Sequence, residues 1–163
     1  MSTNKYKVLI ADDEYWIRKN LKTLLDWEVY SFTLLEPAID GEDALKKIER
    51  YTPDILITDI NMPFIDGVHL LSIVKQRFPH MVCFVLSGYN DFSFVKDALL
   101  LGAIDYLLKP VNKLELIRVL TKAFDILNQN SSTKTELLMA ASLIQDREYS
   151  LLITADSPTN DSN

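Results

Sequence analysis

The stretch "PDILITDINMPFIDG", residues 53–67, sets a short apolar run directly against an acidic residue. Ile55, Leu56 and Ile57 form a run typical of strands that are buried on both faces of a sheet. The run closes at Asp59, and a turn-rich segment with proline and glycine follows. A buried strand therefore delivers a carboxylate to its own C-terminal end, which is a costly place for a charge unless the fold uses it.

Strand-like runs alternate with helical patterns on both sides of this stretch. The predicted strands are residues 6–11, 32–39, 54–58, 81–86 and 103–108. The predicted helices are residues 14–27, 40–51, 67–77, 91–101 and 113–127. Asp40 and Asp66 are candidate N-caps, and Gly102 stands at a good C-cap position. Five rounds of strand and helix predict a doubly wound α/β fold, with a parallel sheet covered by helices on both faces.

Composition excludes several classes of protein. With 48% hydrophobic and 25% charged residues, the chain is an ordinary globular one. Its net charge of −6 argues against a main surface that binds nucleic acid. The lone cysteine, Cys83, allows neither an internal disulfide nor a zinc site built on cysteines. No apolar run approaches the roughly 18 residues of a membrane span, so we expect a cytoplasmic protein without a membrane partner.

Polar side chains follow four of the five predicted strands. Asp12 and Asp13 follow the first, Asp59 ends the third, Ser87 follows the fourth and Lys109 follows the fifth. Parallel sheets of this type bind their ligands at the carboxyl ends of the strands. Three carboxylates, a hydroxyl and an ammonium are therefore expected at one edge of the sheet.

This set of groups suits a divalent metal and phosphoryl chemistry. Neighbouring carboxylates repel one another, and Mg²⁺, which prefers oxygen ligands, relieves that repulsion. Lys109 would add a second positive charge. A carboxylate such as Asp59 can act as a nucleophile and form an acyl phosphate. The metal and Lys109 would then neutralise the phosphoryl oxygens, to which Ser87 could donate a hydrogen bond.

Four motifs, "LIADDE", "DILITDINMPFIDG", "VLSGY" and "DYLLKP", occur in this order along the chain. Together they make residues 5–128 resemble the CheY-like receiver domains of two-component response regulators, which have a doubly wound fold. The resemblance implies a five-stranded parallel sheet in the order 2-1-3-4-5. It also implies a signalling domain that accepts a phosphoryl group from a sensor histidine kinase, rather than an enzyme with turnover.

The resemblance further assigns roles to the acidic residues. Asp59 would be the phosphoacceptor. Asp12 and Asp13 would form the acidic pair that binds Mg²⁺ together with Asp59. Asn61, two residues after Asp59, would contribute its backbone carbonyl oxygen to the metal.

Three further positions match functional positions of the receiver family. Ser87 stands at the switch hydroxyl and Tyr106 at the switch aromatic. Lys109 takes the place of the family's lysine, and the bond from Lys109 to Pro110 resembles its cis peptide, which X–Pro bonds can adopt.

The C-terminal part of the chain departs from the family's longer members. The sequence looks closest to receivers of YesN-like, AraC-type transcriptional regulators, whose DNA-binding domain would need about 100 residues. With residues 1–128 as the receiver, only residues 129–163 remain. We therefore expect an excised receiver, with DNA contacted only through a missing output domain, over the alternative of a natural stand-alone receiver. The pattern of residues 133–148 predicts a linker helix with an apolar stripe, which could pack on its own domain, pair with a second chain or be a truncated linker. We favour a helix that forms a dimer, and we expect a homodimer on phosphorylation.

Three other functions are disfavoured by particular residues. A Mg²⁺-dependent aspartyl phosphatase needs an acid two residues after its nucleophile, where this chain has Asn61. A binding module that keeps only the fold would not need the complete set of acids, serine and lysine. A flavin mononucleotide site is disfavoured because the acidic loop after the first strand would repel the phosphate.

Overall fold

The sheet of the protein, seen in a computed structural model that describes residues 5–130, has five parallel strands. They lie in the predicted order β2-β1-β3-β4-β5. The strands are β1 (Tyr6–Ala11), β2 (Phe32–Leu34), β3 (Ile55–Asp59), β4 (Val82–Ser87) and β5 (Asp105–Leu108). The predicted fold class is therefore confirmed.

Helices connect the strands in regular alternation. They are α1 (Tyr15–Leu24), α2 (Gly41–Tyr51), α3 (Gly67–Arg77), α4 (Phe92–Leu100) and α5, which begins at residue 113. The chain divides into two units, Met1–Phe124 and Asp125–Asn163. Of the second unit, residues 125–130 are described, and they are helical. The predicted linker helix at 133–148 lies outside the described residues. Within residues 5–130, no helix is long and apolar enough to cross a membrane.

Strand β2 is shorter than the predicted strand at 32–39, so that prediction was wrong in extent. The strand ends at Leu34, and four residues later Ala38 forms an isolated bridge with Ala11. Between them stands Pro37, which has no amide hydrogen to donate to a neighbouring strand. The ladder is interrupted there and resumes for one residue beyond it.

The ends of two other elements also differ from their predicted bounds. Helix α1 stops at Leu24 because Leu25 is extended, and the buried Trp27 indole folds back to donate a hydrogen bond to the Leu21 carbonyl at 3.2 Å. Strand β5 starts two residues late because the Ala103 amide closes the end of α4, at 3.0 Å from the Ala98 carbonyl. Both differences come from contacts at the C-terminal ends of helices, which the periodicity of apolar residues does not show.

The predicted caps of the helices are confirmed. The Asp40 carboxylate accepts a hydrogen bond from the Asp43 amide, and the Asp66 carboxylate accepts one from the His69 amide, each at 2.7 Å. Gly102 follows α4 with a φ of 109°, the left-handed conformation that glycine adopts without strain.

The central strands β3 and β4 hold their C-terminal residues in fixed positions. Every residue of β3 and β4 is buried, as the continuous apolar runs predicted. The parallel register pairs Asp59 with Leu86 and Ser87 with Leu108, so the ends of three strands are level. Gly67 lets α3 start against β3, since a Cβ atom there would stand 2.0 Å from the Asp59 carbonyl oxygen.

Candidate functional site

An ammonium lies between two carboxylates at the C-terminal edge of the sheet. Lys109 Nζ is 2.8 Å from Asp12 Oδ2 and 3.1 Å from Asp59 Oδ2. Asp12 directly follows β1, and Asp59 is the last residue of β3. The Lys109 amide donates to the Ser87 carbonyl at 2.9 Å, and the bond between Lys109 and Pro110 is cis. The structure thus brings together the groups that the sequence placed at this edge.

Burial disfavours the ionised forms of the two carboxylates in this group. Asp12 is fully buried and Asp59 is 4% exposed. Burial, with a further contribution from the charge of Asp12, raises the pKa of Asp59 from 3.8 to about 6. Burial also raises the pKa of Asp12. For Lys109, burial alone would lower the pKa, but the two carboxylates outweigh it and raise the pKa above its ordinary value, so the lysine stays charged.

Four carboxylates converge on this edge. Oxygen atoms of Asp12, Asp13, Glu14 and Asp59 all lie within 4.8 Å of one another. The Glu14 amide donates to Asp12 Oδ1 at 2.8 Å, which fixes the turn after β1. Such a set offers only oxygen ligands, with more negative charge than Lys109 alone can balance, and this is the donor chemistry that Mg²⁺ prefers.

Ser87 is the last residue of β4, and its hydroxyl group is in an unusual environment. The residue is 1% exposed, and Ser87 Oγ has no hydrogen-bond partner among the residues that the structure describes. A buried hydroxyl without a partner is costly, and native structures keep few of them. Ser87 Oγ is therefore a donor available to a polar group that enters the site.

Asn61 and Asp91 connect the loops around Asp59. The Asn61 amide donates to Asp59 Oδ1 at 3.4 Å, and its side-chain Nδ2 donates to Asp91 Oδ1 at 3.0 Å. The other oxygen of Asp91 accepts a hydrogen bond from the Gly88 amide at 2.8 Å. Asn61 was predicted to bind metal through its carbonyl oxygen, and that role stays a prediction.

Tyr106, the predicted switch aromatic, is the second residue of β5. It is 37% exposed on β5 and lines a largely apolar cavity of about 640 Å³. Ser87 lines the same cavity, with Phe92 and Leu99 of α4 and Leu108 of β5. The two residues predicted to act as the switch therefore border one open space.

A family model described as the response regulator receiver domain matches residues 8–121. The chain belongs to this family. The match begins within β1, covers the other four strands, and includes every residue that carries the acids, the hydroxyl and the lysine described above. The protein is a receiver domain of two-component response regulators, as its motifs predicted.

Known proteins similar to this receiver domain include transcriptional regulators. The chain is 38% identical over 112 residues to the uncharacterized transcriptional regulatory protein YesN of Bacillus subtilis, covering 69% of this chain and 30% of YesN. It is also 38% identical over 129 residues to the transcriptional regulatory protein HptR of Staphylococcus aureus, covering 78% of this chain and 50% of HptR. The chain thus spans half or less of the length of these curated relatives.

Among solved structures, the REC domain of AraT, a response regulator from Geobacillus stearothermophilus, is similar to this receiver domain with a TM-score of 0.74. The two are 36% identical, and the alignment covers 77% of this chain and 98% of that domain. The agreement is in fold as well as in sequence.

Sequence reasoning missed two acidic residues of the site. Glu14 Oε1 is 3.4 Å from Lys109 Nζ, and the acidic run "DDE" already contained the signal. Asp91 reads in sequence as the acid before a helix, so nothing pointed to its contact with Asn61, 30 positions earlier in the chain. Only the fold brings the two loops into contact.

Proposed function

We propose that this receiver domain accepts a phosphoryl group on Asp59 from the phosphohistidine of a sensor histidine kinase. The observation that carries the proposal is the buried pair of carboxylates, Asp12 and Asp59, held against one ammonium within a larger cluster of acids. A structural ion pair would need one carboxylate. A surplus of buried negative charge suits a site that receives positive charge from a metal when it works.

We propose that Mg²⁺ is held by the carboxylates of Asp12, Asp13 and Asp59 and by the backbone carbonyl of Asn61. The chemistry of the donor set fits, since the clustered side-chain atoms are carboxylate oxygens and the pKa of Asp59 is raised to about 6 by burial and by Asp12. When bound, the metal would neutralise charge on the phosphoryl oxygens and on the carboxylates.

The chain's own residues perform the transfer. An oxygen of Asp59 attacks the phosphorus, an O–P bond forms, the P–N bond to the donor histidine breaks, and the histidine nitrogen leaves with the electron pair. Lys109 supplies a fixed positive charge beside the attacking carboxylate, which favours the transition state electrostatically. Ser87 Oγ, which has no partner among the described residues, donates to a phosphoryl oxygen. One phosphoryl group is taken up per chain, so the protein acts as a signalling acceptor.

The phosphoryl group then switches the domain. It brings a charge of about −1.5 to −2 where the carboxylate carried −1. Ser87 moves toward this charge, and Tyr106 turns into the cavity that both residues line. The face formed by α4, β5 and α5 repacks, which is a two-state response to a local change of charge.

The output that we propose is a homodimer that controls transcription through a DNA-binding region. The curated relatives named as transcriptional regulators support it. Large apolar side chains on the switching face also support it, since Phe92 is 86% exposed and Leu100 is 77% exposed. In this scheme residues 1–128 are the receiver and residues 129–163 link it to the output region.

Labelling with a small phosphodonor tests the phosphoacceptor. Purified protein is incubated with acetyl phosphate and Mg²⁺, and intact mass spectrometry measures the uptake of one phosphoryl group. We expect wild type to be labelled, Asp59→Asn to stay unlabelled, and the matched control Asp66→Asn, which alters the cap of α3, to be labelled like wild type. Equal labelling of the Asp59→Asn variant would contradict the assignment.

Light scattering tests the output. The molar mass in solution is measured with and without beryllofluoride, a phosphoryl analogue, in the presence of Mg²⁺. We expect the analogue to shift the protein from monomer to dimer, and Leu100→Lys to abolish the shift without changing labelling. A monomer under both conditions would remove the dimer from the proposal and leave the phosphoacceptor standing.

A further inference from the structure

Asp91 stands immediately before α4, where an aspartate ordinarily caps the helix. Asp40 and Asp66 occupy the same position before α2 and α3, and the carboxylate of each accepts a hydrogen bond from the amide three residues later. Asp91 differs, because in the described chain its side chain makes no such bond to α4. Its carboxylate is engaged elsewhere.

The carboxylate of Asp91 joins two loops of the site. Oδ2 accepts a hydrogen bond from the Gly88 amide at 2.8 Å, and Oδ1 accepts one from Asn61 Nδ2 at 3.0 Å. Gly88 directly follows Ser87, and Asn61 comes two residues after Asp59. We call these two hydrogen bonds the Asp91 bridge. Both have a carboxylate acceptor, and hydrogen bonds to carboxylates are stronger than bonds between neutral groups.

The Asp91 bridge opposes the movement of Ser87. In the described structure the Ser87 hydroxyl is buried without a partner, and the peptide group on its C-terminal side is tied through Gly88 to Asp91. A movement of Ser87 toward a phosphoryl group on Asp59 that carries its backbone along also shifts this peptide. The Gly88 bond must then lengthen or break.

We propose that Asp91 is a positioning residue that holds Ser87 in its resting place and so sets how readily Asp59 is phosphorylated. The inference rests on the proposed phosphoacceptor role of Asp59. The arrangement with Ser87 turned toward Asp59 is the minor state of a two-state equilibrium, and the reaction rate scales with its population. Loss of the Asp91 bridge raises that population.

The test is the rate at which acetyl phosphate and Mg²⁺ label Asp59 in the Asp91→Ala variant. We expect an increase of about 5- to 30-fold, the factor associated with losing one strong interaction from the resting state. In a Ser87→Ala background the same substitution should change the rate by a factor of about one, because the hydroxyl that the bridge restrains is gone. A merely structural role for Asp91 would not depend on Ser87.

Asp40→Ala is the matched control. It removes an aspartate that caps its helix, so it should lower stability and leave the labelling rate unchanged. If Asp91→Ala does not fold, Asp91→Asn keeps the shape and one acceptor oxygen, and a smaller acceleration is expected from it.

Three results separate this inference from the function on which it rests. Wild type that is never labelled contradicts the phosphoacceptor role itself. Wild type that is labelled, with a folded Asp91 variant no faster than it, overturns the role of Asp91 alone. An acceleration of the same size with and without Ser87 also overturns it, since Asp91 would then act by another route.

Discussion

Replacing Asp59 with asparagine should stabilise the metal-free protein above neutral pH. Asp59 is 4% exposed, and burial together with the charge of Asp12 raises the pKa of its carboxyl from 3.8 to about 6. At about 1.36 kcal/mol per pKa unit, ionising this group in the folded state costs about 3 kcal/mol more than in the unfolded chain. Asparagine has nearly the same shape and carries no such cost, but it weakens the contact with Lys109. We expect the free energy of unfolding to rise by about 1 to 3 kcal/mol.

The pH dependence follows from the direction of the shift. A carboxyl whose pKa is raised on folding binds its proton more tightly in the folded state. Its contribution to stability is therefore complete below the unfolded pKa of 3.8 and is lost as pH rises through about 6. The advantage of Asp59→Asn should be small below pH 3.8, grow between pH 3.8 and about 6, and reach its full size above that.

Urea denaturation measures this difference. Both proteins are unfolded in a chelating buffer at several pH values on either side of 6, and the free energies are extrapolated linearly to water. Added Mg²⁺ should then stabilise wild type by about 2.7 kcal/mol at a hundredfold excess over its dissociation constant, and should stabilise the variant less. Asp66→Asn is the control and should change little, because asparagine caps a helix about as well as aspartate. An Asp59→Asn variant no more stable than wild type at alkaline pH would refute the reasoning.

Three further substitutions test other parts of the structure. Lys109→Met leaves buried carboxylates without their cation, so urea denaturation at alkaline pH should show a loss of about 3 to 5 kcal/mol that shrinks as the pH falls. Gly67→Ala forces a Cβ atom to within 2.0 Å of the Asp59 carbonyl oxygen, so thermal unfolding should show a loss of about 2 kcal/mol or more. Burial alone would raise the pKa of Asp105, but hydrogen bonds, one of them from Arg118, lower it to about 2. Arg118→Ala removes that hydrogen bond, so an NMR titration should find the pKa of Asp105 raised.

Much of the fold was predictable because apolar periodicity reports burial directly. The run at residues 55–57 was predicted to be buried on both faces of the sheet, and β3 is buried along its whole length. The aspartate caps before α2 and α3 were predictable for a similar reason. A cap is a local contact between residues three positions apart, and the sequence shows both partners.

The bounds of β2 and α1 were harder to predict because they depend on contacts made after the chain has folded back. The interruption in β2 reflects Pro37 beside a neighbouring strand, and the end of α1 reflects a Trp27 indole that reaches a carbonyl six residues earlier. Neither contact has a periodic signature.

For the site, sequence alone determined which groups stand at the ends of the strands, and hence that Asp12, Asp59 and Lys109 meet at one edge. This follows because parallel strands all end on the same side of a sheet. Only the tertiary structure decided how those groups pair, how far burial raises the pKa of Asp59, and that Asp91 joins two loops instead of capping its helix. Those properties depend on distances of a few ångströms between loops, which packing sets and the order of residues does not.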